Sequence, residues 1–461
     1  EDHEYSQSVI IRVRTELEMV NVMSELFAKY DPDVISGYNL SYDFGYLDAR
    51  LTRMQYQWPC LGRLKGRRVH LSDSGWSSSA YGKMDIIKAY TPGRLTIDMY
   101  VLIKKNAFKF SRYTLGVVAQ ELLGRTKLPI TAAEMFIGYE KAQQATQWKI
   151  NVERYINYQI SQLSKTMTLE EAREHPIIKG IMEQYYEKKA EYYDAGMNEM
   201  LRIILYVIRD SDLIPDLMEK VLAWIDVKET SKAVGVTISD VLNCGQQKRC
   251  LYLLYDKSYN EGVVVDSRNN DDIAYVGGSV QKPKRGIHDN VLLFDFNSLY
   301  PTIIIEMNVC YTTLVPEYME VPDELCNIIE VECTDDDFIS TGEYDEDFAE
   351  KPAKKKSKKD TPKNTRILRF RFMKEPRGLL PTIVSGLIAR RKQVRSQGME
   401  YAKNGNITLS QVYDKRQNAL KVCANSFFGF TGVHKNGRKP LLEAAMSITG
   451  WGRKMIAQVI K

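Results

Sequence analysis

The 461-residue sequence contains no apolar run approaching the length of a bilayer-spanning helix, so no segment reads as a transmembrane helix. Its seven cysteines (Cys60, Cys244, Cys250, Cys310, Cys326, Cys333 and Cys423) are scattered, odd in number and without a CxxC pair. That argues against a disulfide scaffold or a zinc module and for a reducing compartment, not secretion. The five histidines stand far apart, which argues against a histidine metal site or triad. Excess charge is also missing: the net value of +5 is too small to identify a polyanionic partner, so local distribution has to carry that argument. The opening Glu1-Asp2-His3-Glu4 is not a signal peptide, and the lack of an initiating Met suggests a processed chain or a fragment.

What is present is ordinary in bulk, 44% apolar and 27% charged, and long enough for two or three domains. "DPDVISGYNLSYDFGYLDARLTR" reads as strand, turn and helix from Asp31 to Arg53, and "GRLTIDMYVLI" at Gly93–Ile103 reads as a second strand, with the Ser/Gly-rich "SDSGWSSSAYG" as a loop between them. Residues 140–224 carry a helical pattern, giving an α/β unit of helices on a small sheet. Gly and Pro in "YVGGSVQKPKRG" mark a boundary, and the acidic then Lys-rich stretch at about 334–365 lacks apolar periodicity and reads as a solvated, disordered insertion.

One charge interrupts the apolar "LLFDFNSLYPTII". Burying Asp295 alone would be costly, so the segment reads either as a strand with an ion pair or exposed end, or as a strand delivering a carboxylate. Asn297, Ser298 and the turn expected at Tyr300-Pro301 favour the second reading, with a metal and a phosphate bound together. Two helical patterns then flank the turn "NGN". The first puts Arg391 and Arg395 on one face, and the second does the same for Lys421, Asn425 and Phe428.

In order, these segments resemble family B DNA polymerases, nearest the delta-like branch that includes large DNA viruses. "DFNSLYPTI" is similar to the first palm motif, "KVCANSFFGFTG" to the fingers motif, "GLLPTIVSGLIARRKQVR" to the first fingers helix and "YVGG" to the Tyr-x-Gly-Gly segment between the domains. "DPDVISGYNLSYDFGYL" and "YVIRD" resemble the second and third exonuclease motifs, so the likeness runs from about Asp31 to the C-terminus. It implies an α/β and α+β multidomain fold: an RNase H-like 3′–5′ exonuclease over 1–232, linker and palm over 233–378, a helical-hairpin fingers domain over 379–430, and a return to the palm over 431–461.

The resemblance implies two Mg²⁺ ions per active site, with Mn²⁺ as substitute, about 4 Å apart in nucleotidyl transfer. Asp295 and the Phe296 carbonyl would hold them, the Ser298 and Leu299 amides would face the phosphates, and Arg391, Arg395, Lys421 and Asn425 would clamp the triphosphate. Tyr300 would lie beneath the incoming sugar, and Phe428 stands where the family has Tyr, as Arg395 stands where it has Lys. In the exonuclease, Asp43 and Asp210 would bind metal and Tyr206 would orient water. On residues alone, Asp43 also reads as a helix N-terminal residue, and "YVIRD" favours an ordinary helix surface for Tyr206 and Asp210. Tyr275, Gly277 and Gly278 would touch DNA. Implied partners are primer-template DNA, dNTPs and a sliding clamp or other processivity factor, in a nuclear or viral replication compartment.

Two departures accompany the match. Asn39 and Asp43 are one residue closer than in most delta-like members, with Tyr42 replacing Phe. The first exonuclease motif (Asp-x-Glu), the later palm carboxylates (Asp-Thr-Asp) and a thumb are not found, so a central fragment, inactive alone, is expected. The alternatives from other classes are a non-catalytic polymerase-like DNA-binding scaffold and a stand-alone nuclease.

Overall fold

The computed structural model describes residues 9–78, 82–105, 108–266, 275–279, 281, 284–334, 365–433 and 437–460. The acidic and Lys-rich stretch therefore lies almost wholly outside the described residues. The chain forms two compact units, Glu1–Ala223 and Trp224–Lys461. Among the described residues no helix is long and apolar enough to cross a membrane.

The N-terminal unit begins with α1 (Glu16–Tyr30), which starts where Thr15 accepts from the Glu18 amide and stops at Asp31 in the left-handed region. β1 (Val34–Gly37) leads through Asn39 into α2 (Leu40–Arg53). A hairpin of β2 (His70–Ser78) and β3 (Gly82–Tyr90) follows, paired antiparallel from His70↔Tyr90 to Ser78↔Gly82. The Ser/Gly-rich stretch expected as a loop is thus largely strand, because backbone pairing across the hairpin does not depend on apolar side chains. β4 (Leu95–Asp98) pairs parallel with β1 in register Val34↔Leu95 to Gly37↔Asp98. The expected second strand ends there: residues from Met99 onward form α3 (Met99–Lys105), since Asp98 accepts the Tyr100 amide at 3.0 Å and turns the chain.

Helices complete this unit: α4 (Leu115–Leu123), α5 (Ala132–Leu163), α6 (Leu169–Glu174), α7 (Pro176–Lys189), a π-helical turn at Ala190–Asp194, and α8 (Ala195–Lys220). Capping boxes at Thr131/Glu134 and Thr168/Glu171 start α5 and α6, and Pro176 at the first position starts α7. Val20, Phe44, Leu51, Trp58, Leu61 and Val69 form a core beneath α1, α2 and the hairpin.

α9 (Ala223–Val234), α10 (Ile238–Asn243) and α11 (Gln246–Asn260) precede the motif helix α12 (Leu299–Glu306). β5 (Cys326–Thr334) and β6 (Thr365–Met373) pair antiparallel from Cys326↔Met373 to Thr334↔Thr365. α13 (Leu379–Lys403) and α14 (Ile407–Gly432) form a hairpin whose turn uses Gly405 at φ 75°, a conformation only glycine adopts without strain. α15 (Leu442–Ile460) closes the unit, burying Leu442, Met446, Ile448 and its small neighbours against β5, α12 and α14.

Candidate functional site

Residues 291–296, expected as a buried strand, form no regular element, and Val291, Leu292, Leu293 and Phe294 are exposed. A strand needs a hydrogen-bonding neighbour, and among the described strands none pairs with this segment. Asp295 is therefore exposed, not buried. Ser298 then adopts a left-handed conformation (φ 57°, ψ 52°), and the expected turn at Tyr300-Pro301 is instead the first turn of α12. Pro301 fits there because a first-turn residue has no intrahelical partner for an amide proton. The Thr302 amide donates to the Ser298 carbonyl at 2.9 Å, closing that turn. The Leu299 and Tyr300 amides lie at the positive end of the helix, where an anion is favoured.

α12 carries Tyr300 to Phe428 on α14, with ring centroids 4.5 Å apart and planes tilted by 40°. These two motif residues are 128 positions apart in sequence and meet through the packing of α12 on α14. On the same hairpin, Arg391 Nε donates to Gln417 Oε1 at 3.2 Å, which fixes that guanidinium between the helices. Lys421, Asn425 and Arg395 are exposed, available to a ligand. Lys421 and Asn425 are held outward because the opposite face of α14 buries Leu420, Cys423, Ala424 and Phe427. The Cys423 thiol, pushed up to about 11 by burial, stays neutral there.

In the N-terminal unit, Tyr206 and Asp210 lie one turn apart on α8. Lys127, which nothing in the sequence singled out, joins them: its ammonium pairs with Asp210 Oδ2 and donates to the Tyr206 hydroxyl at 3.2 Å. Burial opposes the Lys127 charge, but these hydrogen bonds outweigh it and raise its pKa. The second oxygen of Asp210, Oδ1, is buried with no hydrogen-bond partner. A buried carboxylate oxygen left open in this way suits a hard cation.

Asp43 sits in the first turn of α2, exposed on one side, while neighbouring protein displaces water on the other and raises its pKa. Asp98, also missed, ends β4 and accepts the Asn39 and Leu40 amides at 2.9 and 3.0 Å. It thereby fixes the left-handed Asn39 (φ 65°) and the start of α2, which carries Asp43. Burial raises the Asp98 pKa, and the amides offset part of that rise. The one sequence signal for Asp98 was a charge inside the strand-like run Gly93–Ile103. Among the described residues no three His, Cys, Asp or Glu gather into a metal cluster, around Asp43 and Asp210 in the first unit or around Asp295 in the second.

Tyr275, Gly277 and Gly278 lie in an irregular segment against α14, α15 and α12. A side chain at Gly432 would collide with the Tyr275 hydroxyl, and one at Gly278 with the Tyr300 hydroxyl. The Val276 and Gly277 carbonyls accept from Thr449 and Arg453 of α15, two further residues that sequence reasoning passed over.

Residues 236–461 match the model of DNA polymerase family B, and residues 1–118 match that of the family B exonuclease domain. The DNA polymerase delta catalytic subunit of Bos taurus is 28% identical over 448 residues, covering 96% of this chain and 32% of that protein. DNA polymerase 120R of Invertebrate iridescent virus 3 is 27% identical over 493 residues, covering 98% of this chain and 39% of its own. The solved family B DNA polymerase of the hyperthermophilic archaeon Pyrobaculum calidifontis shares the fold, with a TM-score of 0.59 at 20% identity over 98% of this chain and 46% of that one. The chain thus spans about a third of the length of the curated relatives it matches.

Proposed function

This chain belongs to DNA polymerase family B, with exonuclease and polymerase domains of mixed helix and sheet, and we propose that it is the central part of a delta-like replicative polymerase with 3′–5′ proofreading. In this reading an RNase H-like exonuclease domain covers 1–232, linker and palm 233–378, fingers 379–430 and further palm 431–461. The thumb would lie outside these residues. Substrates would be primer-template DNA and dNTPs, with a sliding clamp or other processivity factor as partner, in a nuclear or viral replication compartment.

The observation that carries the polymerase reading is the packing of Tyr300 on Phe428. It joins the helix that follows Asp295 to the helix that presents Lys421 and Asn425. A triphosphate lying between them would have its negative charge met by the Ser298 and Leu299 amides at the start of α12, and by Arg391, Arg395, Lys421 and Asn425. Asp295 and the Phe296 carbonyl would hold the divalent ions. When bound, such ions activate the primer 3′-hydroxyl and neutralise the triphosphate. Tyr300, seated against Phe428, would lie under the sugar and exclude a 2′-hydroxyl by contact.

In the exonuclease half, Asp43 and Asp210 would hold metal and Tyr206 would orient the attacking water. Lys127 pairs with Asp210 and donates to the Tyr206 hydroxyl, which holds both side chains in place. Tyr275, Gly277 and Gly278 would border the DNA path. The scaffold alternative is not favoured, since matches to both catalytic domain models run along the chain.

The deciding experiment uses the complete gene product with Mg²⁺. Asp295→Asn should abolish primer extension and leave excision of a mismatched 3′ end intact. Undiminished extension by that variant would sink the assignment of Asp295.

A further inference from the structure

Residues Tyr275–Ser279 have no regular structure, yet they are tied down within the C-terminal unit. The nearest acceptor of the fully buried Thr449 hydroxyl is the Val276 carbonyl, at 3.0 Å. Arg453 Nη1 donates to the Val276 and Gly277 carbonyls at 3.0 and 2.7 Å. One side chain of α15 thus holds two consecutive peptide groups, which fixes the backbone that continues into Gly278.

Gly278 in turn bounds Tyr300. A Cβ at Gly278 would overlap the Tyr300 hydroxyl oxygen, while ring carbon Cζ would stay 3.8 Å away, so the hydroxyl is the atom in the way. A Cβ at Gly452 would come within 3.2 Å of Tyr300 Cε1, and Phe428 packs on the ring with centroids 4.5 Å apart. Tyr300 thus lies where a side chain at Gly278 or Gly452 would meet it, with Phe428 packed on its ring.

We infer that Gly278 is a sugar-specificity position and Arg453 its positioning residue: the backbone that Arg453 pins sets how far Tyr300 can yield to an incoming nucleotide. This rests on the reading of Tyr300 as the ring beneath the sugar. Steric selection requires a ring that does not move. A 2′-hydroxyl pressing on Tyr300 is tolerated if the ring can retreat, and the Gly278 backbone blocks retreat along the direction of the hydroxyl.

A thermal-unfolding cycle on the 461-residue chain tests the contact without using activity. Gly278→Ala should lower the melting temperature, and adding Tyr300→Phe, which deletes the colliding oxygen, should restore most of the loss. Strictly additive effects would overturn the contact. In the complete protein, Arg453→Met should raise ribonucleotide use relative to deoxynucleotide use by about fivefold in kcat/KM. Arg453→Lys, which keeps a donor for the two carbonyls, should return the ratio toward that of the parent. Equal losses for both sugars would overturn the positioning role. A complete parent protein that incorporates neither sugar would sink the polymerase reading and this inference with it, while the thermal cycle would still report the contact.

Discussion

The two units hold their functional side chains by different means. In the N-terminal unit ion pairs and charge-assisted hydrogen bonds tie down the functional side chains: Lys127 pairs with Asp210, Arg125 with Asp216, and the Asn39 and Leu40 amides with Asp98. The long α5 conceals only Gly138, Ala142 and Ala145 along its 32 residues. In the C-terminal unit packing does the holding. Phe372, Phe427 and Phe430 are almost completely buried, α15 conceals most of one face, and Tyr300 is bounded by Phe428, Gly278 and Gly452. The contrast teaches that the first site should respond to the loss of a charge or a change in pH, and the second to a change in volume.

The sharpest way to break that contrast is Phe427→Ala. Emptying a fully buried aromatic position on α14 should destabilise the C-terminal unit by about 3–5 kcal/mol, read by urea denaturation of the 461-residue chain. A loss below about 1 kcal/mol would mean that the helices around Tyr300 are not held by packing.

Next in size, Asp210→Ala or Asp43→Ala in the complete protein should lower mismatch excision by about 100-fold or more, within the usual range for losing a catalytic group, and leave matched-primer extension unchanged. Excision that survives either change removes that carboxylate from the site.

Tyr300→Ala in the complete protein should shift the ratio of ribonucleotide to deoxynucleotide efficiency by at least about tenfold, or about 1.4 kcal/mol of differential transition-state binding. Matched losses for both sugars would make Tyr300 a structural residue only.

The smallest effect sharpens the charge side of the comparison. Because the Lys127 pKa is raised by folding, its stabilising contribution is complete below the unfolded lysine value of about 10.4. It should fade as pH climbs through the higher folded value. The difference in melting temperature between the parent chain and Lys127→Met should therefore stay constant from neutral pH to about 10 and shrink beyond it. A difference that is unchanged at pH 11 would mean that the ion pair adds no stability.

How much of this was legible in the sequence follows the range of the interactions. The Tyr206–Asp210 spacing on α8, the hairpin turn at Asn404–Asn406 and the strand at Val34–Gly37 were each readable, because a helix, a turn or a short strand is encoded within a few residues. The Leu292–Phe296 segment reads as a buried strand but is irregular and largely exposed, because its apolar composition says nothing about whether a partner strand lies alongside. The Ser/Gly-rich hairpin was misread as a loop, because ladder hydrogen bonds come from the backbone, whose pairing composition does not report.

By itself, then, the sequence determined the order of the motifs, the family they resemble and the helices that carry Asp43, Tyr206, Asp210, Lys421 and Asn425. Those features depend on residue types at short spacings, which the chain states directly. Only the tertiary structure decided that Lys127 meets Asp210 across 83 positions, that Phe428 packs on Tyr300, and that Arg453 reaches Gly277 across 176. Each cation or ring had many chemically equivalent candidates along the chain, and packing, which fixes distance and direction, chose one.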